Sequence, residues 1–104
     1  MKKITPIELK SQLDAEKAPF LLDVREMYER EMCSIASFHM PMGEVCQRTQ
    51  ELPTDQEIVV LCQSGKRAEA LVNVLEQDFN FARVSFLEGG VTAWFEQFEP
   101  AIQS

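Results

Sequence analysis

Cys62 is followed by Gln63-Ser64-Gly65-Lys66-Arg67, and this run of a thiol, small polar residues, a glycine and two cations is the part of the chain best suited to chemistry. A thiolate is a strong nucleophile, and it is favoured where the sulfur faces nearby positive charge and the unpartnered N–H groups of a helix amino terminus. Gly65 lets a tight loop adopt positive φ at little cost, so that successive amides can turn inward as a nest for an anion. Lys66 and Arg67 stand in the first turn of the helix expected next, where cations are mildly unfavourable against the helix dipole. That small penalty is better explained if they attract an anionic ligand than if they are merely solvated. The plainer alternative for Cys62 is a small hydrophobe buried at a strand end, since free cysteine is among the most buried residue types. The Ser-Gly-Lys-Arg that follows it argues for the reactive reading.

A strand signal precedes this loop and a helix signal follows it. Glu57-Ile58-Val59-Val60-Leu61 is the clearest strand, and Ala68, Leu71, Val72, Leu75 and Phe79 beyond the loop follow helical spacing. Cys62 therefore sits between a strand and a helix, at the strand's carboxyl end. Upstream, Thr5-Pro6-Ile7-Glu8 has the form of a capping box, predicting a helix from Pro6 to about Leu13. Phe20 to Val24 reads as a strand buried on both faces, Met27 to Glu31 as a polar helical turn, and Gly43 to about Leu52 as a helix stopped by Pro53. Arg83 to Leu87 gives another strand, Gly89-Gly90 a turn, and Val91 to Phe98 a last helix whose Trp94 and Phe95 form an apolar, core-facing side. Alternating strands and helices predict an α/β fold with a mainly parallel sheet covered by helices on both faces, and ligands at the carboxyl ends of the strands.

Composition narrows the function classes. The 104 residues suit a single domain spanning residues 1–104, without internal repeats or linkers. A net charge of −7 would repel nucleic acid and anionic membranes, so neither is expected as a partner, and any anion must be captured by a local site. The opening Met1-Lys2-Lys3-Ile4-Thr5-Pro6 has no apolar run behind it, and no stretch approaches the ~20 apolar residues of a membrane span. Three cysteines, Cys33, Cys46 and Cys62, form neither a disulfide framework nor a zinc-ligand spacing. Free thiols in a reducing, cytoplasmic compartment are expected, with no metal. Cys33 and Cys46 could act as resolving thiols, but neither has a cation or helix start beside it, and both read as inert. His39, the only histidine, could serve as a base toward a cysteine, although a loop-stabilised thiolate does not need one.

The segment Val59 to Ala68 resembles the active-site loop of the rhodanese-like family, in which the cysteine opens a six-residue loop of C-x-x-G-x-x type. Leu22-Asp23-Val24-Arg25-Glu26 with Tyr28 and Glu29, the run Ile35 to Pro41, and Leu87-Glu88-Gly89-Gly90-Val91 with Ala93-Trp94 fall, in order, where that family has its signatures. The resemblance implies a sheet of about five strands in one rhodanese-like domain. It also implies a sulfurtransferase of the thiosulfate type: Cys62 as catalytic nucleophile, and the amides of Gln63, Ser64, Gly65, Lys66 and Arg67 as the cradle of the transferred sulfur. The expected partners are a small anionic sulfur donor and a cyanide or thiol acceptor, with a protein persulfide as a further candidate for either role, and no cofactor. By the same resemblance Asp23 and Arg25 are structural support near the site, and His39 has a structural or rim role. Two departures stand out: many members carry Arg where this chain has Gln63, and a Gly-Ala pair is missing from Ile35 to Pro41. Phosphatase or arsenate-reductase loops of C-x-x-x-x-x-R type offer another reading, but only four residues separate Cys62 from Arg67, one too few. A non-catalytic interaction module is a third, against which the presence of the cysteine argues.

Overall fold

Thr5 starts the first helix as its sequence predicts: its Oγ1 accepts from the Glu8 N–H at 3.1 Å while Glu8 Oε1 accepts from the Thr5 N–H at 2.9 Å. In the computed structural model, which describes residues 3–32 and 37–98, the chain alternates strands and helices. The strands are β1 (Lys3–Ile4), β2 (Phe20–Asp23), β3 (Phe38–His39), β4 (Ile58–Leu61) and β5 (Val84–Leu87). The helices are α1 (Pro6–Asp14), α2 (Met27–Met32), α3 (Met42–Val45), α4 (Lys66–Phe79) and α5 (Gly90–Phe98), with a 3-10 turn at Thr49–Glu51. All five strands pair in parallel in the order β1-β5-β4-β2-β3, so β4 is central, flanked by β5 and β2.

Period-two alternation in the strands sends side chains to two cores. Leu22, Ile58, Val60, Val84 and Phe86 face Val45 of α3 and Ala68, Leu71, Val72 and Leu75 of α4. Leu21, Val59, Leu61 and Leu87 face Leu9 of α1 and Val91 and Trp94 of α5. Trp94 is wholly buried, with Phe98 packed edge-on at 4.9 Å between ring centroids, which fits the core reading of the last helix. Because both faces are covered, the strand ends are where the backbone is open to a ligand, and Cys62 follows the carboxyl end of the central strand.

The continuous helix expected over Gly43 to Leu52 is broken. Only the four residues of α3 and the three of the 3-10 turn are helical there. Val45 and Leu52 are buried while Cys46 and Gln47 are exposed, so the segment has too narrow an apolar stripe to repay helix nucleation. Arg48 spans the break instead, pairing with Glu44 at 2.6 Å and Glu51 at 2.8 Å. Cys33, and Ile35 and Ala36 of the run Ile35 to Pro41, lie outside the described residues. The α5 helix begins one residue earlier than its apolar pattern suggests, at Gly90.

Candidate active site

Cys62 is fully buried, and its Sγ accepts hydrogen bonds from the N–H groups of Gly65 at 3.1 Å and Ala68 at 3.3 Å. The geometry follows from how α4 starts. Its N-cap is Gly65 in the left-handed region, φ 99°, a residue with no side chain to cap the helix. The N–H three positions on, at Ala68, is the one an N-cap oxygen would ordinarily take, and here the cysteine sulfur takes it. Both partners are donors, an arrangement suited to an anionic sulfur at the positive end of a fourteen-residue helix. Of the amides expected to cradle sulfur, that of Gly65 reaches Sγ, and that of Ala68 joins it from just beyond the expected set. Its signal was positional: counted from Gly65 as N-cap, Ala68 holds the third helical N–H.

The loop's carbonyls are drawn away from the sulfur by α5. The Val91 N–H donates to the Cys62 carbonyl at 2.9 Å and the Thr92 N–H to the Gln63 carbonyl at 3.1 Å. This contact requires Gly90: a Cβ built there would lie 2.4 Å from the Gln63 carbonyl oxygen and 2.5 Å from that of Cys62. Sequence reasoning took Gly89-Gly90 for a turn and missed this bracing role.

Side chains brace the loop from the other side. Gln63 is half-buried and bridges two elements, its Oε1 accepting from Arg25 Nη1 at 3.2 Å and its Nε2 donating to Thr92 Oγ1 at 3.0 Å. Arg25 and Asp23 are both fully buried, with Arg25 Nη2 on Asp23 Oδ2 at 3.0 Å and Nε on Oδ1 at 3.2 Å. Arg30 also donates to Asp23, at 3.1 Å. The pair thus anchors the end of β2 and, through Gln63, touches the loop. His39 Nε2 lies 2.7 Å from the Arg25 carbonyl, which can only accept, so that nitrogen carries the proton and the ring is engaged structurally.

The remaining expected residues are rim groups. Ser64 and Lys66 are exposed. Arg67 does not stand free to meet a ligand: its Nη2 and Nη1 donate to Glu29 at 2.9 and 3.3 Å. The hydrogen bond to Glu29 is the main cause of the raised Arg67 pKa, and the Glu29 charge adds to it. Reciprocally, the Arg67 bond holds the Glu29 carboxyl below its ordinary value. Glu29 also explains how a cation is accommodated in the first turn of α4. Cys46 is exposed. Among the described residues no cluster of His, Cys, Asp and Glu could hold a metal ion.

The Rhodanese-like domain model matches residues 5–97, nearly the whole chain and all of this site. The chain belongs to the rhodanese-like family. Within it, the chain is 33% identical over 102 residues to the putative sulfurtransferase YtwF of Bacillus subtilis, covering 96% of each protein. It is 34% identical over 86 residues to the putative sulfur carrier protein YrkF of the same organism, of which it spans 46%. A crystal structure of a rhodanese-related protein from Thermoplasma volcanium has the same architecture, with a TM-score of 0.84, 31% identity and 96% coverage of both chains. The rhodanese-like assignment agrees with the five-stranded parallel sheet and with the loop at the end of its central strand.

Proposed function

We propose that this rhodanese-like protein is a sulfurtransferase that moves sulfane sulfur through a persulfide on Cys62, from a donor such as thiosulfate to cyanide or a thiol. The observation that carries the reading is the pair of N–H groups, from Gly65 and Ala68, that reach the Cys62 sulfur at the amino terminus of α4. In the first step the Cys62 thiolate attacks the outer sulfur of thiosulfate; a Cys62 S–S bond forms, the donor's S–S bond breaks, and sulfite leaves with the electron pair. In the second, the acceptor attacks the outer sulfur of the persulfide, and Cys62 departs as thiolate. Cyanide becomes thiocyanate. The charge stays on sulfur throughout, so the task of the protein is electrostatic: preorganised amides hold an anion, and no proton need move at Cys62. The amides of Gln63 and Ser64 belong to the same loop and those of Lys66 and Arg67 to the first turn of α4, and the exposed Lys66 can draw an anionic donor to an acidic protein. A cytoplasmic setting, where thiols stay reduced, suits this chemistry.

The likeness to a putative sulfur carrier supports a related reading, in which another protein's persulfide loads or unloads Cys62. Steady-state thiocyanate formation from thiosulfate and cyanide tests the main reading. Wild-type protein is expected to turn over and Cys62→Ser protein to fall to the uncatalysed rate; equal activity in the two would remove Cys62 from the mechanism.

A further inference from the structure

Glu29 sits where an anionic donor would be expected to use Arg67. Its carboxylate is fixed at both oxygens: Oε2 accepts from Arg67 Nη2 at 2.9 Å, and Oε1 from Arg67 Nη1 at 3.3 Å and the Glu26 N–H at 2.9 Å. It is largely buried, 18% exposed against 39% for Arg67, so the pair is shielded mainly on the carboxylate side. The other guanidinium groups near the loop are also engaged, Arg25 and Arg30 both on the buried Asp23. Among the described residues Lys66 is the cation of the loop with no ion pair.

Resting on the sulfurtransferase reading, we propose that Glu29 is a specificity-determining residue: by occupying Arg67 it biases the site against the thiosulfate dianion and toward sulfane sulfur carried on a thiol. A thiosulfate ion presents two negative charges to a rim where a carboxylate already holds the guanidinium, within a chain of net charge −7. Cysteine persulfide carries its sulfur charge at the reacting end and balances its α-carboxylate with its own α-ammonium, so its net charge is one unit smaller than that of thiosulfate. With that donor, the Cys62 thiolate attacks the outer sulfur, the Cys62 S–S bond forms as the donor's S–S bond breaks, and the donor leaves as its thiolate. No oxidant or reductant is needed. Glu29 touches neither the reacting sulfur nor Cys62 and works through Arg67.

Sulfur loading onto Cys62 can be timed by intact-protein mass after an alkylating quench, with thiosulfate and with cysteine persulfide as donors. Glu29→Gln keeps an acceptor for Arg67 while removing the charge, and Glu29→Ala removes both. In each, the ratio of the thiosulfate to the cysteine-persulfide rate constant is expected to rise by about fivefold, the scale of a partly exposed ion pair. A ratio unchanged or lowered in both variants overturns the proposal, and because it compares two donors on one protein, a general loss of folding does not mimic it. Failure of the wild type to load from either donor would overturn the sulfurtransferase reading and the proposal with it.

Discussion

At Gly90 the chain has no room for a methyl group, and the atoms that exclude it are the carbonyl oxygens of Cys62 and Gln63. The sulfur site therefore depends on a residue that makes no contact with sulfur. Gly90→Ala is expected to cost about 1–3 kcal/mol of stability, as overpacking does, and to lower sulfur transfer further by turning the loop carbonyls. Urea unfolding beside thiocyanate formation would check both, and a variant as stable and active as wild type would contradict the bracing role. Asp23 makes the same point with charge. Asp23→Ala would leave Arg25 buried without its carboxylate and should cost about 3–5 kcal/mol; a loss below ~1 kcal/mol on the same urea curve would mean that Arg25 is compensated elsewhere. Cys62 was legible in the sequence because its signal is local, a thiol followed by a glycine and a helix pattern. The bracing by Gln63 and Thr92 was not, because those partners are twenty-nine residues apart and meet only once β4 and β5 are paired.

Elements with a periodic core face were readable: α4 carries Ala68, Leu71, Val72 and Leu75 in one stripe, and β4 is apolar at every position. The segment from Gly43 to Leu52 was misread because Pro53 marks a stop without saying how much helix precedes it, and tertiary burial of Val45 and Leu52 decided the rest. For α2, Tyr28 and Glu29 were noted, but their relation to Arg67 depends on how α2 and α4 meet in space. That contact has a pH signature. Arg67 lowers the Glu29 carboxyl from its ordinary 4.5, so the folded protein binds that proton less tightly than the unfolded chain. The pair's contribution to stability is present above pH 4.5 and is lost as the pH falls through the lower folded value. The difference in melting temperature between wild type and Glu29→Gln is expected to be largest near neutrality and to vanish on acidification. A difference independent of pH would show that the charge of Glu29 plays no part.

At the scale of the whole molecule, two cores share one sheet, with α3 and α4 on one side and α1 and α5 on the other. Every strand of β2, β4 and β5 contributes to both, so neither core can be lost alone. Unfolding is expected to be a single transition, with the fluorescence of buried Trp94 and the far-ultraviolet circular dichroism coinciding; separated midpoints would show that one face opens first. The architecture was legible from the alternation of strands and helices, whereas strand order was not, since nothing local in β1 announces that it pairs with β5.

Sulfur transfer by this chain requires that Cys62 itself carry the sulfur. Intact-protein mass spectrometry of wild type and Cys62→Ser after incubation with thiosulfate, and again after cyanide, reads this out. A gain of one sulfur atom is expected on the wild type alone, erased by cyanide with release of thiocyanate. A gain on Cys62→Ser, or one that cyanide leaves in place, would contradict it.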